Sequence, residues 1–426
     1  MPFRELALLL VIPSICCAAL FRPSIGLFGY IWFAVVRPDL MAYCPDKYPF
    51  SFALAVATLA GSFRYAGFLP QIFRIPIVQW LLLLQIPIGL SVLFSEGPFL
   101  SMDRYVLFER TTIMLLLFPL VLRTSQDLRH LLYTFAFSGA MLGGRLGTFG
   151  LLQGGALLNQ SYGYVYDNNE LALAIAMLMP VCWYCRQVVS SKWIRLGLTL
   201  VMLPCAAAVI FSNSRGASIA MGVIFLVLLL KSKRRLPLLI CLLLALGPAI
   251  YLVRDQYVSR MSTIQHYEDE ESAANRVDLW KAALAMWEDY PVVGVGFGGR
   301  NFIRLSEPYM KHRNINVVHN SYLQMLVDSG IFAFAIYTGL IVGTILWLGK
   351  SVKLMKRRLP DLEYIPLALQ APLIGFAVGS TFYSHQRYDL MYMLLMTAAA
   401  WYQIQPRELA APAAEQAPEE IAALAN

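Results

Sequence analysis

Apolar runs recur from one end of this chain to the other, and many reach the ~20 residues an α-helix needs to cross a hydrocarbon core about 30 Å thick. They fall near 5–21, 24–40, 50–63, 75–95, 105–123, 129–149, 165–186, 193–212, 216–230, 236–253, 321–348, 362–381 and 388–405. The 426 residues are 58% hydrophobic and 14% charged, whereas soluble domains are about 25% charged. Such a chain has too little polar surface to cover itself in water. A soluble enzyme and a disordered protein are therefore excluded. The net charge of +8 is confined to short loops, which excludes a nucleic-acid binder. The expected fold is an all-α polytopic integral membrane protein.

Two basic clusters orient it. Lys231, Lys233, Arg234 and Arg235 form one; Lys350, Lys353, Lys356, Arg357 and Arg358 form the other, with no acid among them. Both belong on the cytoplasmic side by the positive-inside rule. The 67 residues 254–320 between the flanking spans are then outside, in the periplasm of a Gram-negative cell. They hold eight Lys or Arg against nine Asp or Glu, near-neutral as a translocated segment can be. Thirteen runs would put the N-terminus outside, while Arg4 favours inside. One early segment is therefore expected to be re-entrant or interfacial, leaving about 12 transmembrane helices. The expected division is 1–253 as transmembrane helices, 254–320 as a periplasmic helical loop, 321–405 as C-terminal transmembrane helices and 406–426 as a disordered cytoplasmic tail. Residues 5–21 could pass for a signal peptide, but so many apolar runs follow that a retained first helix is expected. Cys182 and Cys185 have CxxC spacing at the end of an apolar helix without flanking ligands, which points to packing rather than redox or zinc chemistry.

Charges beside membrane helices are costly and mark candidate chemistry. Arg215, in Ser214-Arg215-Gly216, sits where a polar break meets the next apolar run. Free N–H groups and the positive end of a helix favour an anion there, and a guanidinium adds a bidentate phosphate clamp. The same residue could instead snorkel to lipid headgroups. Arg276 follows Asn275, an expected N-cap, and opens a helix whose apolar face is Val277, Trp280, Leu284 and Trp287, with Pro291 as its stop. Gly294-Val-Gly296-Phe-Gly298-Gly299 fits GxGxxG without a βαβ unit around it and is expected to be a flexible turn. His319 stands just before the 321–348 run, where the helix end disfavours imidazolium. A neutral histidine there could accept a proton from a hydroxyl, or simply bond backbone. His385, in another outer turn, ranks second; His130, His266 and His312 have weaker contexts. The run Glu268-Asp269-Glu270-Glu271 reads as a solvated loop. No His/Asp/Glu set has metal-ligand spacing, so no metal or other cofactor is expected.

These pieces together resemble the bacterial O-antigen ligase and O-antigen polymerase superfamily, which also includes protein O-oligosaccharyltransferases. The likeness rests on Ser214-Arg215-Gly216 opening a helix, on Arg276-x3-Trp280 followed by Pro291-x2-Gly294-x-Gly296, and on His319-Asn320-Ser321-Tyr322-Leu323 entering the next span. It is carried by residues 200–330 and elsewhere by topology. Arg22-Pro23 and Arg37-Pro38 are similar in style to the exosortase-associated O-glycosylation ligase branch.

The resemblance implies a GT-C-like glycosyltransferase architecture in the bacterial inner membrane, with its active site facing the periplasm. The implied reaction moves a glycan from an undecaprenyl-diphosphate carrier to a hydroxyl. In a ligase that hydroxyl belongs to lipid A–core oligosaccharide. On this reading Arg215 and Arg276 bind the carrier diphosphate, and His319 deprotonates the acceptor for an inverting, metal-independent attack. Arg145, Asn168 and Asn169, near the same outer face, are further candidates for substrate binding. A polymerase and a protein O-oligosaccharyltransferase remain alternatives within the superfamily, and a lipid-linked sugar flippase is one from another class. Transporters place ionisable groups at mid-membrane, whereas the spans 216–230, 236–253 and 321–348 have apolar centres.

Overall fold

A computed structural model describes residues 3–44, 47–153, 168–231, 235–236, 240, 271–310 and 315–424. Every regular element among them is helical. The principal helices are α1 (Phe3–Phe21), α2 (Pro23–Val36), α3 (Phe50–Ser62), α4 (Pro76–Leu93), α5 (Pro98–Val121), α6 (Ser125–Leu152), α7 (Asn168–Val188), α8 (Lys192–Leu200), α9 (Met202–Phe211), α10 (Arg215–Lys231), α11 (Glu271–Asp289), α12 (Ser321–Arg358), α13 (Tyr364–Gly379) and α14 (Asp389–Leu424). Each apolar run coincides with one or two of them except 236–253, which lies largely outside the described residues. So do Glu268, Asp269, Glu270, His266 and His312. By length and composition, seven described helical stretches can cross a membrane, and α2 is apolar but shorter. The protein is an all-α polytopic membrane protein. The bounds of α14 take in most of the Ala-, Glu- and Pro-rich tail, whose alanines and glutamates are good helix formers.

The 38 residues of α12 would reach about 57 Å if straight. That exceeds the roughly 30 Å apolar core of a bilayer, so it is long enough to cross one. Lys356, Arg357 and Arg358 occupy its last turn. At its start, Asn320 caps the helix, its Oδ1 accepting from the N–H groups of Tyr322 (3.0 Å) and Leu323 (3.1 Å). The helix is broken at Gly330, where φ is 78°. A Cβ there would stand 1.9 Å from the Val292 carbonyl oxygen, so both the conformation and the space require glycine.

That break separates residues 321–329 from the long apolar segment that follows. The chain after α11 lies alongside them, with Val295 N donating to Val327 O, Gly296 N to Asp328 O and Ile331 N to Pro291 O, at 2.9–3.0 Å. Leu279, Ala282, Ala283, Met286, Val295, Phe302, Val318 and Val327 form a small core of their own there. The glycine turn is therefore ordered, not flexible. Gly294, Gly296, Gly298 and Gly299 all have positive φ, and the chain passes within contact of Asp328, Ser101 and Arg104. The segment after α11 is also pinned to the α4–α5 connection. Asn301 Nδ2 donates to Ser101 Oγ at 3.0 Å and to Gly97 O at 3.2 Å, and Tyr290 donates to Glu96 Oε1 at 3.0 Å.

On the opposite flank, α9 packs along α6 through small residues. A Cβ on Gly147 would fall 1.6 Å from the Pro204 carbonyl, so glycine allows the close approach that membrane helices use in place of a hydrophobic drive. This packing fixes the end of α9, from which the 212–214 turn leads into α10.

Candidate active site

Four helices begin around the short turn 383–388: α7 at Asn168, α10 at Arg215, α12 at Ser321 and α14 at Asp389. Each helix start leaves N–H groups without intrahelical partners and carries a partial positive charge. Ser214 caps α10, accepting from Ala217 N at 3.2 Å, and its hydroxyl shares a hydrogen bond with the Tyr383 hydroxyl. Ser321 donates to Tyr383 O at 2.6 Å and accepts from His385 N at 2.9 Å. Tyr388 donates to the Glu170 carbonyl oxygen at 2.8 Å. The turn thus ties together the starts of α10, α12 and α7.

Arg215 is the first residue of α10, half-buried, as its sequence context predicts. Asn213, just before it, has φ 55°, a left-handed conformation that asparagine tolerates. His319 is also half-buried and left-handed, at φ 54°, which is costly for histidine. The strain is held by its neighbours. Gln324 Oε1 accepts from Val318 N and from the Ser384 hydroxyl, both at 3.0 Å, while Gln324 Nε2 donates to Asp328 Oδ1 at 2.8 Å. Asp328, fully buried, also accepts from Gly298 N and Gln386 Nε2 at 3.0 Å. Through Gln324 and Asp328, the backbone beside His319 is locked to the glycine turn and to residues 384–386.

Arg276 departs from expectation in one respect. The helix begins at Glu271, so Arg276 lies in its second turn and not at its start. Ser272-Ala273-Ala274 favours helix well enough to extend it past Asn275. Arg276 is half-buried, one turn before Leu279, which shares a core with Val318 beside His319. Asn168 and Asn169 open α7 and are half-buried. Arg145 is exposed on α6, one turn beyond Leu142.

A cavity of about 300 Å³ lies against the turn, walled by Glu170, Gln324, His385, Arg387, Asp389 and the Gly298–Gly299 backbone among others. The second-ranked His385 proves well placed. Its Nδ1 lies 2.9 Å from Glu170 Oε1, and its ring is stacked between Tyr383 and Tyr388 at 5.3 and 5.7 Å. Arg387 and Asp389 were missed. Burial and the nearby Arg104 depress the Arg387 pKa, while Asp389, Glu170 and Asp328 favour its charge. Asp328 was missed too, though a lone acid inside the 321–348 run was a signal in plain view. Among the described residues, no group of three or more His, Cys, Asp or Glu is placed to hold a metal ion.

Residues 198–338 match the O-antigen ligase family. Residues 3–190 match a family of unknown function, DUF5935. No curated protein matches the chain. The first match spans Arg215, Arg276 and His319, and this O-antigen ligase family domain supports a place for the chain in the O-antigen ligase superfamily.

Proposed function

We propose that this membrane enzyme of the glycosyl-transfer type is an O-antigen ligase. It moves a glycan from undecaprenyl diphosphate to a hydroxyl of lipid A–core oligosaccharide at the outer face of the bacterial inner membrane. One observation carries the reading: the helix starts bearing Arg215 and His319 are fastened to the same turn, Arg215 through Ser214 and Tyr383, His319 through Ser321. An anion-binding guanidinium and an imidazole at one end of a bundle suit a donor whose leaving group is a diphosphate.

The acceptor oxygen attacks the anomeric carbon as the bond from that carbon to the diphosphate oxygen breaks, inverting the centre. His319 takes the hydroxyl proton and later releases it to solvent. Arg215, at a helix start, and Arg276 neutralise the charge that gathers on the departing undecaprenyl diphosphate. Asn168 and Asn169, at the start of α7, and the exposed Arg145 contribute further donors to the carrier-linked substrate. Two guanidiniums meet the electrostatic demand that a divalent cation meets in other sugar transferases.

The test incubates purified protein with lipid-linked glycan and lipid A–core in EDTA and follows glycan-bearing lipopolysaccharide. Formation of that product, abolished in His319→Ala, supports the proposal. Glycan lengthened on its carrier would identify a polymerase instead, and product made at the wild-type rate by His319→Ala would remove the base.

A further inference from the structure

None of Arg215, Arg276 and His319 lines the 300 Å³ cavity beside the turn, so the proposed chemistry leaves its purpose open. Its polar wall is mixed in charge. Glu170 and Asp389 present carboxylates, and Asp389 stays accessible although protein surrounds it, because it faces this space. Arg387 makes no hydrogen bond or ion pair among the described residues. His385 has a side chain only 9% exposed; its Nδ1 is held by Glu170 and its Nε2 is buried without a partner. A buried imidazole nitrogen left bare is rare enough to ask for a ligand. Another part of the wall is apolar, with Phe108, Leu171, Ala174, Leu390 and Met393.

Two carboxylates against one guanidinium repel a phosphate, and no group of three or more His, Cys, Asp or Glu among the described residues is placed to hold a metal ion. A neutral molecule with hydroxyls on its edge and C–H groups on its face satisfies both the carboxylates and the apolar wall. That is a sugar ring. The volume is at the lower end of the ~300–1,000 Å³ range of small-molecule pockets, enough for one ring and not for an oligosaccharide.

We infer that this cavity seats one neutral sugar ring, its hydroxyls bonded by Glu170, Asp389 and Arg387 and its orientation fixed by the Glu170–His385 pair. The inference rests on the glycan-transfer reading and adds to it a subsite apart from the diphosphate. The ring comes either from the acceptor or from the donor glycan. Val317, two residues before His319, shares the cavity wall, so a ring seated there is next to the proposed centre of transfer.

The experiment uses the full chain in nanodiscs and two soluble probes, measured by saturation-transfer NMR and calorimetry. One probe is core oligosaccharide freed from lipid A; the other is repeat-unit oligosaccharide freed from its carrier. One of the two is expected to bind wild type, and the one that binds names the source. Arg387→Gln and Asp389→Asn, which remove no hydrogen bond within the described protein, should each weaken that binding roughly tenfold or more. Glu170→Gln should do the same, and Arg215→Lys should leave it unchanged. In transfer assays on the same preparations, KM for that glycan should rise in the cavity variants while kcat holds. Binding of neither probe, or equal binding and KM across the cavity variants, overturns the subsite. A wild-type protein that binds a probe through these residues yet transfers nothing contradicts the transfer reading and leaves the subsite standing.

Discussion

The segment 198–338 and the turn 383–388 contribute to one end of this bundle in opposite ways. The first matches the O-antigen ligase family and supplies Arg215, Arg276 and His319. The second lies beyond both family matches, yet it bonds to Ser214, Ser321 and Glu170 and walls the cavity through His385 and Arg387. Arg215 and His319, to which the proposal gives the chemistry, stand at or just before helix starts, where a positive end is available, while Arg276 lies one turn in. Groups that hold them together sit in a turn of ordinary composition. The cavity also reaches into the match of unknown function, through Leu107, Phe108, Thr111, Leu142 and Glu170, so that region helps to build the site as well as anchor it.

The strongest way to break this division is to remove chemistry and leave the support intact. His319→Ala should lower the transfer rate by roughly 10²–10⁴, the usual contribution of a general base, while the protein stays folded. A rate within a few-fold of wild type would move the base elsewhere, His385 being the next imidazole in the site. Arg215→Lys keeps the charge and loses the planar fork, and a loss of roughly 10² in kcat is expected. Wild-type turnover in that variant would reduce Arg215 to a headgroup anchor.

Asp328→Asn acts on the support. An amide cannot accept from all three of Gln324, Gln386 and Gly298, so at least one buried donor is left unpaired, at a cost of about 1–3 kcal/mol. The expected result is a lower unfolding midpoint, faster hydrogen exchange across 291–299 and a rate reduced roughly tenfold. A variant as stable as wild type and equally protected in exchange would remove Asp328 from its place at the centre of this network.

The fold was legible because lipid leaves a chain few options. With no water to satisfy the backbone, apolar runs must be helices, and the runs read from the sequence fall where helices lie. Arg215 and His319 were legible because each interrupts apolar sequence beside a helix start. The break at Gly330 was not, since a glycine within an apolar run gives no sign that Val292 will press against it from a distant loop. Arg276 was misplaced by five residues of helix because an asparagine signals a cap only when the residues before it are not helical. His385 and Glu170 are 215 positions apart, and nothing local marks them as a pair. Asp389 takes its interest from the cavity it faces.

The central claim is that the turn outside the family match and the helix start inside it form one site. A double-mutant cycle on single-turnover transfer tests it, using Ser214→Ala and Tyr383→Phe, the two partners of the hydrogen bond that joins them. Each single variant should slow transfer about five- to tenfold, the worth of one buried hydrogen bond that positions Arg215. The double variant should be no slower than Ser214→Ala alone, which also loses the cap to Ala217 N, because the Tyr383 contact is already gone. Losses that multiply, or a Tyr383→Phe enzyme as fast as wild type, would contradict the account.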